Sequence, residues 1–126
     1  MTGNVSLPAL AFPYRTNGNV IVPTGRSITV QSAASLDAHG LITVQAGGAF
    51  NAQPSSTVSF FNTGLLVDGG TLDAQGDSTH PIIFKGGTST AGSWSGVWLR
   101  KNSGNVNPAG ALTYVTVQDA GGSCAP

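Results

Sequence analysis

The sequence predicts an all-β protein, a right-handed, single-stranded parallel β-helix of about four coils, with roughly 22 residues and three short strands in each. The first observation is a heptapeptide that begins at Gly69 and has counterparts of similar pattern beginning at Gly47 and Gly25. A fixed period of this length is typical of solenoids. The second is that apolar residues alternate over short segments, which favours strands over helices. The third is the repeated order of these segments, because strands that recur in one order stack in parallel and their crossovers are right-handed.

The composition indicates one small domain, or a piece of one, with few charges. Among its 126 residues are five Lys or Arg and five Asp or Glu, so the net charge is zero. Nucleic-acid binding depends on clustered Lys and Arg, and we therefore expect no nucleic-acid partner. No apolar run approaches the ~18 residues that a membrane span needs, so no membrane span is predicted.

Residues 1–18 are predicted to form an N-terminal cap. The segment contains Val5 and Leu7, and its prolines Pro8 and Pro13 disfavour an amphipathic helix. The end of a solenoid exposes both core and unpaired backbone, so a covering segment is needed there. We expect an irregular or partly extended chain that folds over the first coil.

Residues 19–121 are predicted to form the β-helix itself. Each coil contains three strands whose alternate apolar residues point inward, with turns such as Ala46-Gly47-Gly48 between strands. Two extra residues near Thr79-His80 are the expected exception to the repeat. The expected inward residues are Val20, Val22, Ile42, Val44, Gly64 and Leu66 in the first strands, Ile28, Val30, Phe50, Ala52, Leu72 and Ala74 in the second, and Leu36, Ala38, Val58, Phe60, Ile82 and Phe84 in the third.

The fourth coil is predicted to be less regular, with loops at 86–93 and 101–110. Val97 and Leu99 resume the first strand, and Val115 and Val117 are expected in the second strand. This placement makes Val115 the fourth member of the core column formed by Ile28, Phe50 and Leu72.

Residues 122–126 are expected to be a C-terminal tail or the truncated beginning of the next strand. The chain is then a piece of a longer solenoid or a unit that something else completes. Cys124, the single cysteine, is either a free thiol or the partner of a cysteine outside this chain.

Four glutamines occupy equivalent places after the second strands and are predicted to stack as an amide ladder, as in cross-β assemblies; they are Gln31, Gln53, Gln75 and Gln118. The outward column of the same strands is expected to be a solvated face formed by Thr29, Asn51, Asp73 and Thr116. A flat threonine array for ice binding would need Thr in every coil. Asn51 and Asp73 interrupt it, so ice binding is the third and weakest functional hypothesis.

No catalytic, metal or cofactor site is predicted. Glycoside hydrolysis needs two carboxylates roughly 5–10 Å apart, whereas Asp68, Asp73 and Asp77 fall in three different places of the repeat. His39 and His80 are two coils apart, about 10 Å, which is too far for a shared ion.

The segment 94–100 is the best candidate for ligand binding. With Val97 and Leu99 inward, Trp98 and Arg100 point outward, and an exposed Trp beside polar groups can stack on a sugar ring or anchor a protein. Asp119 is the third candidate residue. In the alternative interpretation the two neighbouring loops fold over Trp98 and bury it.

Several motifs resemble those of right-handed parallel β-helix repeat proteins that bacteria secrete. They are Val20-Ile-Val-Pro-Thr-Gly-Arg-Ser-Ile-Thr-Val30, Gly69-Gly-Thr-Leu-Asp-Ala-Gln-Gly76, His80-Pro-Ile-Ile-Phe84, Gly92-Ser-Trp-Ser-Gly-Val97 and Leu112-Thr-Tyr-Val-Thr-Val-Gln118. The resemblance covers roughly residues 18–121 and implies an extracellular or cell-surface protein, often with more coils. Its members include adhesins, surface structural modules and polysaccharide-active enzymes, so it implies no single activity. The matching positions are scaffold positions, and no catalytic residue is carried over.

The favoured hypothesis is therefore a non-catalytic structural or interaction module for adhesion, surface display or end-to-end assembly into filaments. Its expected partner is a second copy, or adjoining coils of a longer parent chain, because an open coil end offers unpaired backbone groups. The alternative is a fragment that binds or processes polysaccharide.

Overall fold

The computed structural model describes residues 4–9, 13–88, 90, 92–102 and 104–121. These residues contain fourteen strands and no helix. The strands are β1 (Val5–Leu7), β2 (Tyr14–Thr16), β3 (Val20–Val22), β4 (Ser27–Val30), β5 (Ser35–Ala38), β6 (Ile42–Gln45), β7 (Ala49–Ala52), β8 (Thr57–Phe60), β9 (Gly64–Asp68), β10 (Thr71–Gln75), β11 (Ile82–Gly86), β12 (Gly96–Arg100), β13 (Ala109–Thr113) and β14 (Val115–Val117).

The strands form three parallel sheets. Sheet A has the order β1-β4-β7-β10-β13, sheet B the order β2-β5-β8-β11-β14, and sheet C the order β3-β6-β9-β12. The chain therefore visits the three sheets in turn, and each strand pairs with the strand three places earlier or later. This is a solenoid-like parallel β fold, as the repeat predicted.

The heptapeptides lie directly above one another in sheet A. Ile28 pairs with Phe50 and Phe50 pairs with Leu72, and all three side chains are almost fully buried. The turns that precede them also match the prediction. Gly47 and Gly69 have φ values of 79° and 76°, in the left-handed region that glycine adopts without a steric penalty.

The N-terminal segment extends the sheets, where the sequence predicted a cap that folds over the first coil. Strand β1 pairs in parallel with β4, and β2 pairs in parallel with β5. The reason is that Val5 and Leu7 alternate with the correct period to continue the columns of Ile28 and Val30. Residues 1–3 and 10–12 of the expected cap lie outside the described residues.

The predicted register of β9 is wrong by one residue. Leu65 and Val67 pair with Ile42 and Val44 and are fully buried, whereas Gly64 and Leu66 were expected inward. The observed register turns two large side chains, Leu65 and Val67, into the interior. The predicted register would have left the inward position of Gly64 without a side chain to fill the core. Leu66 consequently lies on the outer face of sheet C.

The register of β11 differs by two residues. Phe84 pairs with Val58, so Ile82 lies beside Ser56, two residues before the predicted neighbour Val58. The turn before Ile82 thus contains four extra residues instead of two, because residues 77–80 form a separate hydrogen-bonded loop. Ser56 is fully buried, and its hydroxyl has no hydrogen-bond partner.

Val115 is not in the column of Ile28, Phe50 and Leu72. The strand that follows β10 in sheet A is β13, where Gly110 pairs with Leu72, and Val115 pairs with Ile82 in sheet B. The small residues Ala109 and Gly110 gave no apolar alternation, so the sequence pattern placed them in the loop 101–110. Val115 is half-buried and packs against the core from sheet B.

Candidate functional site

The outer faces of the three sheets differ in chemistry. The central outward column of sheet A is mostly polar and contains Ser6, Thr29, Asn51, Asp73 and Ala111. That of sheet B carries charges and contains Arg15, Asp37, Ser59 and Lys85. That of sheet C is largely apolar and contains Ile21, Thr43, Leu66 and Trp98. Thr116, which was expected in the first of these columns, pairs with Ile83 in sheet B.

The predicted glutamine ladder is not formed. Gln118 follows β14 in sheet B, away from the other three. The amide of Gln31 donates to the Ser6 hydroxyl, Gln53 Oε1 accepts from the Ser32 backbone N–H, and Gln75 Nε2 donates to Asp73 Oδ1. Among the described residues, the amides of Gln31 and Gln53 therefore bond to groups on the neighbouring coil and that of Gln75 bonds within its own strand, and none bonds to the glutamine above or below it.

Two of the glutamines and the middle of the polar column border a shallow recess on sheet A, which we call the sheet A recess. Its volume is about 290 Å³, and its lining includes Thr29, Asn51, Gln53, Pro54, Asp73 and Gln75. Asn51 Nδ2 donates to Thr29 Oγ1 at 3.3 Å, and Gln75 Nε2 donates to Asp73 Oδ1 at 2.7 Å. The recess is thus lined by planar polar side chains that hold one another in place.

The predicted ligand-binding trio is not brought together. Trp98 points outward on sheet C as expected, pairing with Leu66, and is half-buried. Arg100 Nε lies 2.8 Å from Asp68 Oδ1, and this hydrogen bond raises the pKa of the guanidinium above its ordinary value.

Asp119 lies near the opposite end of β12. Its carbonyl accepts from the Ser93 N–H, and β12 runs about 13 Å from Gly96 to Arg100. One ligand-binding site on these three side chains is therefore not supported.

Trp94 is the important residue that the sequence analysis missed. Its exposure is 1%, and its ring stacks on Phe60 with 4.5 Å between centroids and an interplanar angle of 5°. Trp94 Nε1 donates to the Gln118 carbonyl at 2.7 Å. The available signal was Gly86, which pairs with Phe60. An added Cβ at this position would collide with the side chain of Ser93, the neighbour of Trp94.

The histidines have separate environments. The His39 ring stacks on Phe61 at 4.2 Å, whereas His80 is exposed and hydrogen-bonded to Asp77. No cluster of three or more His, Cys, Asp or Glu side chains suited to a metal ion occurs in the described part of the chain.

Asp77 organises the four-residue insertion before β11. Its Oδ1 accepts hydrogen bonds from the Thr79 hydroxyl at 2.9 Å and from the Thr79 and His80 backbone N–H groups at 3.0 and 2.8 Å. The bond from the Thr79 hydroxyl is the main cause that lowers the pKa of the Asp77 carboxyl below its ordinary value.

Because the folded state lowers this pKa, the turn 77–80 is expected to be stabilised above the unfolded pKa, about 3.9. This stabilisation is lost as the pH falls through the folded value. An NMR titration of the Asp77 carboxyl carbon checks this, with the Thr79 and His80 amide shifts as reporters. Thr79→Val should move the midpoint up toward the ordinary value. A wild-type midpoint at or above that value, or no change in the variant, would contradict the prediction.

The two ends of the stack expose apolar side chains of the inward columns. At one end lie the edge strands β12, β13 and β14, where Leu99, Leu112 and Val117 are 55%, 50% and 48% exposed. Leu99 and Leu112 also border a groove of about 150 Å³. At the other end, a recess of about 270 Å³ is bordered by apolar residues that include Val5, Leu7, Tyr14 and Val20.

Comparison with protein-family models, curated proteins and solved structures finds no match for this chain. Within the described residues, no helix has the length and apolar character needed to cross a membrane. The expected C-terminal tail at 122–126, with Cys124, lies outside the described residues.

Proposed function

We propose that the protein is a non-catalytic structural module, a right-handed β-helix of about four coils that associates end to end with further copies of itself. The observation that carries this proposal is the exposure of inward apolar residues, Leu99, Leu112 and Val117, on the edge strands at one end. Unpaired strand edges with apolar neighbours are templates for pairing with another chain.

The two ends are suited to each other because they belong to the same columns. The column that contains Leu7 and Val30 ends at Leu112. The column that contains Tyr14 and Leu36 ends at Val117. Strand β1 of a second copy placed on β13 would repeat the parallel stacking that each internal strand makes, with Leu7 above Leu112.

Such a contact joins different surfaces of the two copies, and repeating it along the stacking direction of the strands adds copies without returning to the first. Head-to-tail interfaces that do not close generate filaments. Each added copy would cover the exposed parts of Leu112 and Val117 and pair the free backbone groups of β13 and β14, which favours association.

The resemblance of the repeat motifs to secreted bacterial β-helix proteins supports an extracellular or cell-surface location. The role of the β-helix there would be adhesion or surface display. Adjoining coils of a longer parent chain could occupy the same end. In that case, too, the end face acts through β-strand addition.

Sedimentation analysis over a range of protein concentrations tests the proposal. The wild-type chain should show a mass that rises with concentration, and Leu112→Asp should weaken association at least about tenfold, since it places a charge in an apolar contact. Ile21→Asp is the matched control, because Ile21 is also 50% exposed but lies on the outer face of sheet C. Thermal melting checks that both variants are folded.

A wild-type chain that remains monomeric at all concentrations would overturn the assembly proposal. Equal weakening by Ile21→Asp would instead place the outer face of the edge strand β3 in the contact.

A further inference from the structure

We propose that the sheet A recess binds a neutral oligosaccharide. This site is distinct from the end faces, and it lies on a different sheet from Trp98 and Arg100. The inference depends on the hydrogen-bonding capacity that the lining residues leave open and on their spacing across the strands.

The lining groups offer both acceptors and donors. Asn51 and Gln75 each use one amide N–H, on Thr29 and Asp73, and each NH₂ group keeps a second N–H. Among the hydrogen bonds of the described residues, Asn51 Oδ1, Gln75 Oε1 and Asp73 Oδ2 accept none. The oxygen of Gln53 is used by the Ser32 N–H, and its NH₂ group is left to donate. A ligand must therefore bring several donors and several acceptors side by side, which is the property of adjacent hydroxyl groups.

The geometry suits an extended chain of sugars. Thr29, Asn51 and Asp73 occupy one column on three successive strands, so their backbones span about 10 Å across the sheet. Pro54 adds an apolar surface at the side of the recess. Sugar rings have hydroxyl edges and C–H faces, so they fit a lining that combines planar polar groups with a carbon surface.

The charges at the site disfavour an acidic ligand. Asp73 is the only charged side chain among the described residues that line the recess, and no Lys or Arg accompanies it there. A polymer with a carboxylate on each ring would meet repulsion without compensation. A neutral chain avoids this cost and can donate a charge-assisted hydrogen bond to Asp73.

The experiment is an NMR titration of the chain with cellohexaose, maltohexaose and mannohexaose as neutral probes, and with hexagalacturonate as the acidic probe of equal length. At least one neutral probe should shift the side-chain NH₂ signals of Asn51, Gln53 and Gln75. Asp73→Ala should weaken that binding about tenfold, the effect of one charge-assisted hydrogen bond. Asn51→Ala is a second variant in case the first alters the fold.

Two control variants separate this site from the other outer faces. Asp37→Ala makes the same substitution on sheet B, and Trp98→Ala removes the half-buried aromatic residue on the outer face of sheet C; neither should change the affinity. The proposal is overturned if no neutral probe shifts the three amides at millimolar concentration. It is also overturned if hexagalacturonate binds equally well, or if Trp98→Ala abolishes binding while Asp73→Ala does not.

Discussion

Replacing Trp94 with alanine is expected to lower the free energy of unfolding by about 3–5 kcal/mol, the range for emptied aromatic core sites. Trp94 is fully buried against Phe60. The substitution removes this stacking and leaves a cavity beside the Phe60 ring. It also removes the donor to the Gln118 carbonyl, which helps to hold the end of β14.

Urea unfolding followed by circular dichroism measures this effect. Trp98→Ala is the matched control because it deletes the same side chain from the outer face of sheet C, and its cost should be clearly smaller. The control also leaves Trp94 as the single tryptophan, so its fluorescence reports directly on the buried ring. Equal destabilisation by the two substitutions would mean that Trp94 has no special role in closing the core.

The central coils could be predicted from the sequence because each heptapeptide encodes its own place. In Gly47-Gly48-Ala49-Phe50 and its counterpart at Gly69, a glycine turn is followed by a strand of alternating apolar residues, so the turn and the alternation predict the same register. The predicted register is wrong where the turn before a strand gives no such information. Asn62 adopts a φ of 56° in the turn before β9, and no glycine there signals the extra residue.

The last coil shows how a convincing motif can belong to a different sheet. The segment 113–118 has the same order of polar and apolar residues as the heptapeptides, yet its strand, β14, lies in sheet B. Strand β13 was missed because the first of its two inward positions is Gly110, and only Leu112 remains as an apolar marker. An added Cβ at Gly110 would lie 1.8 Å from the Leu72 carbonyl oxygen, so the close approach of the backbones excludes a side chain that would mark the column.

The candidate sites were only partly accessible to sequence reasoning. Alternation was sufficient to place Trp98 on an outer face, because period 2 fixes the direction of a side chain once its neighbours are inward. It could not show that Arg100 is paired with Asp68, since residues 32 positions apart meet only through the register of β9 and β12. The sheet A recess likewise depends on hydrogen bonds between successive strands.

Phe50→Ala is expected to cost about 3–5 kcal/mol, and this prediction tests the stacking of the coils directly. Phe50 is fully buried between Ile28 and Leu72, so deleting its ring removes contacts with the strands on both sides. Phe50→Leu should cost much less because most of the volume is retained, and Thr29→Ala, on the outer face, should cost little. Urea unfolding of the three variants gives the ranking. If Phe50→Ala cost no more free energy of unfolding than Thr29→Ala, the heptapeptides could not share a dry interior. Phe50 lies on a strand that is paired on both sides, so its side chain cannot leave the inward column unless one of these pairings is broken.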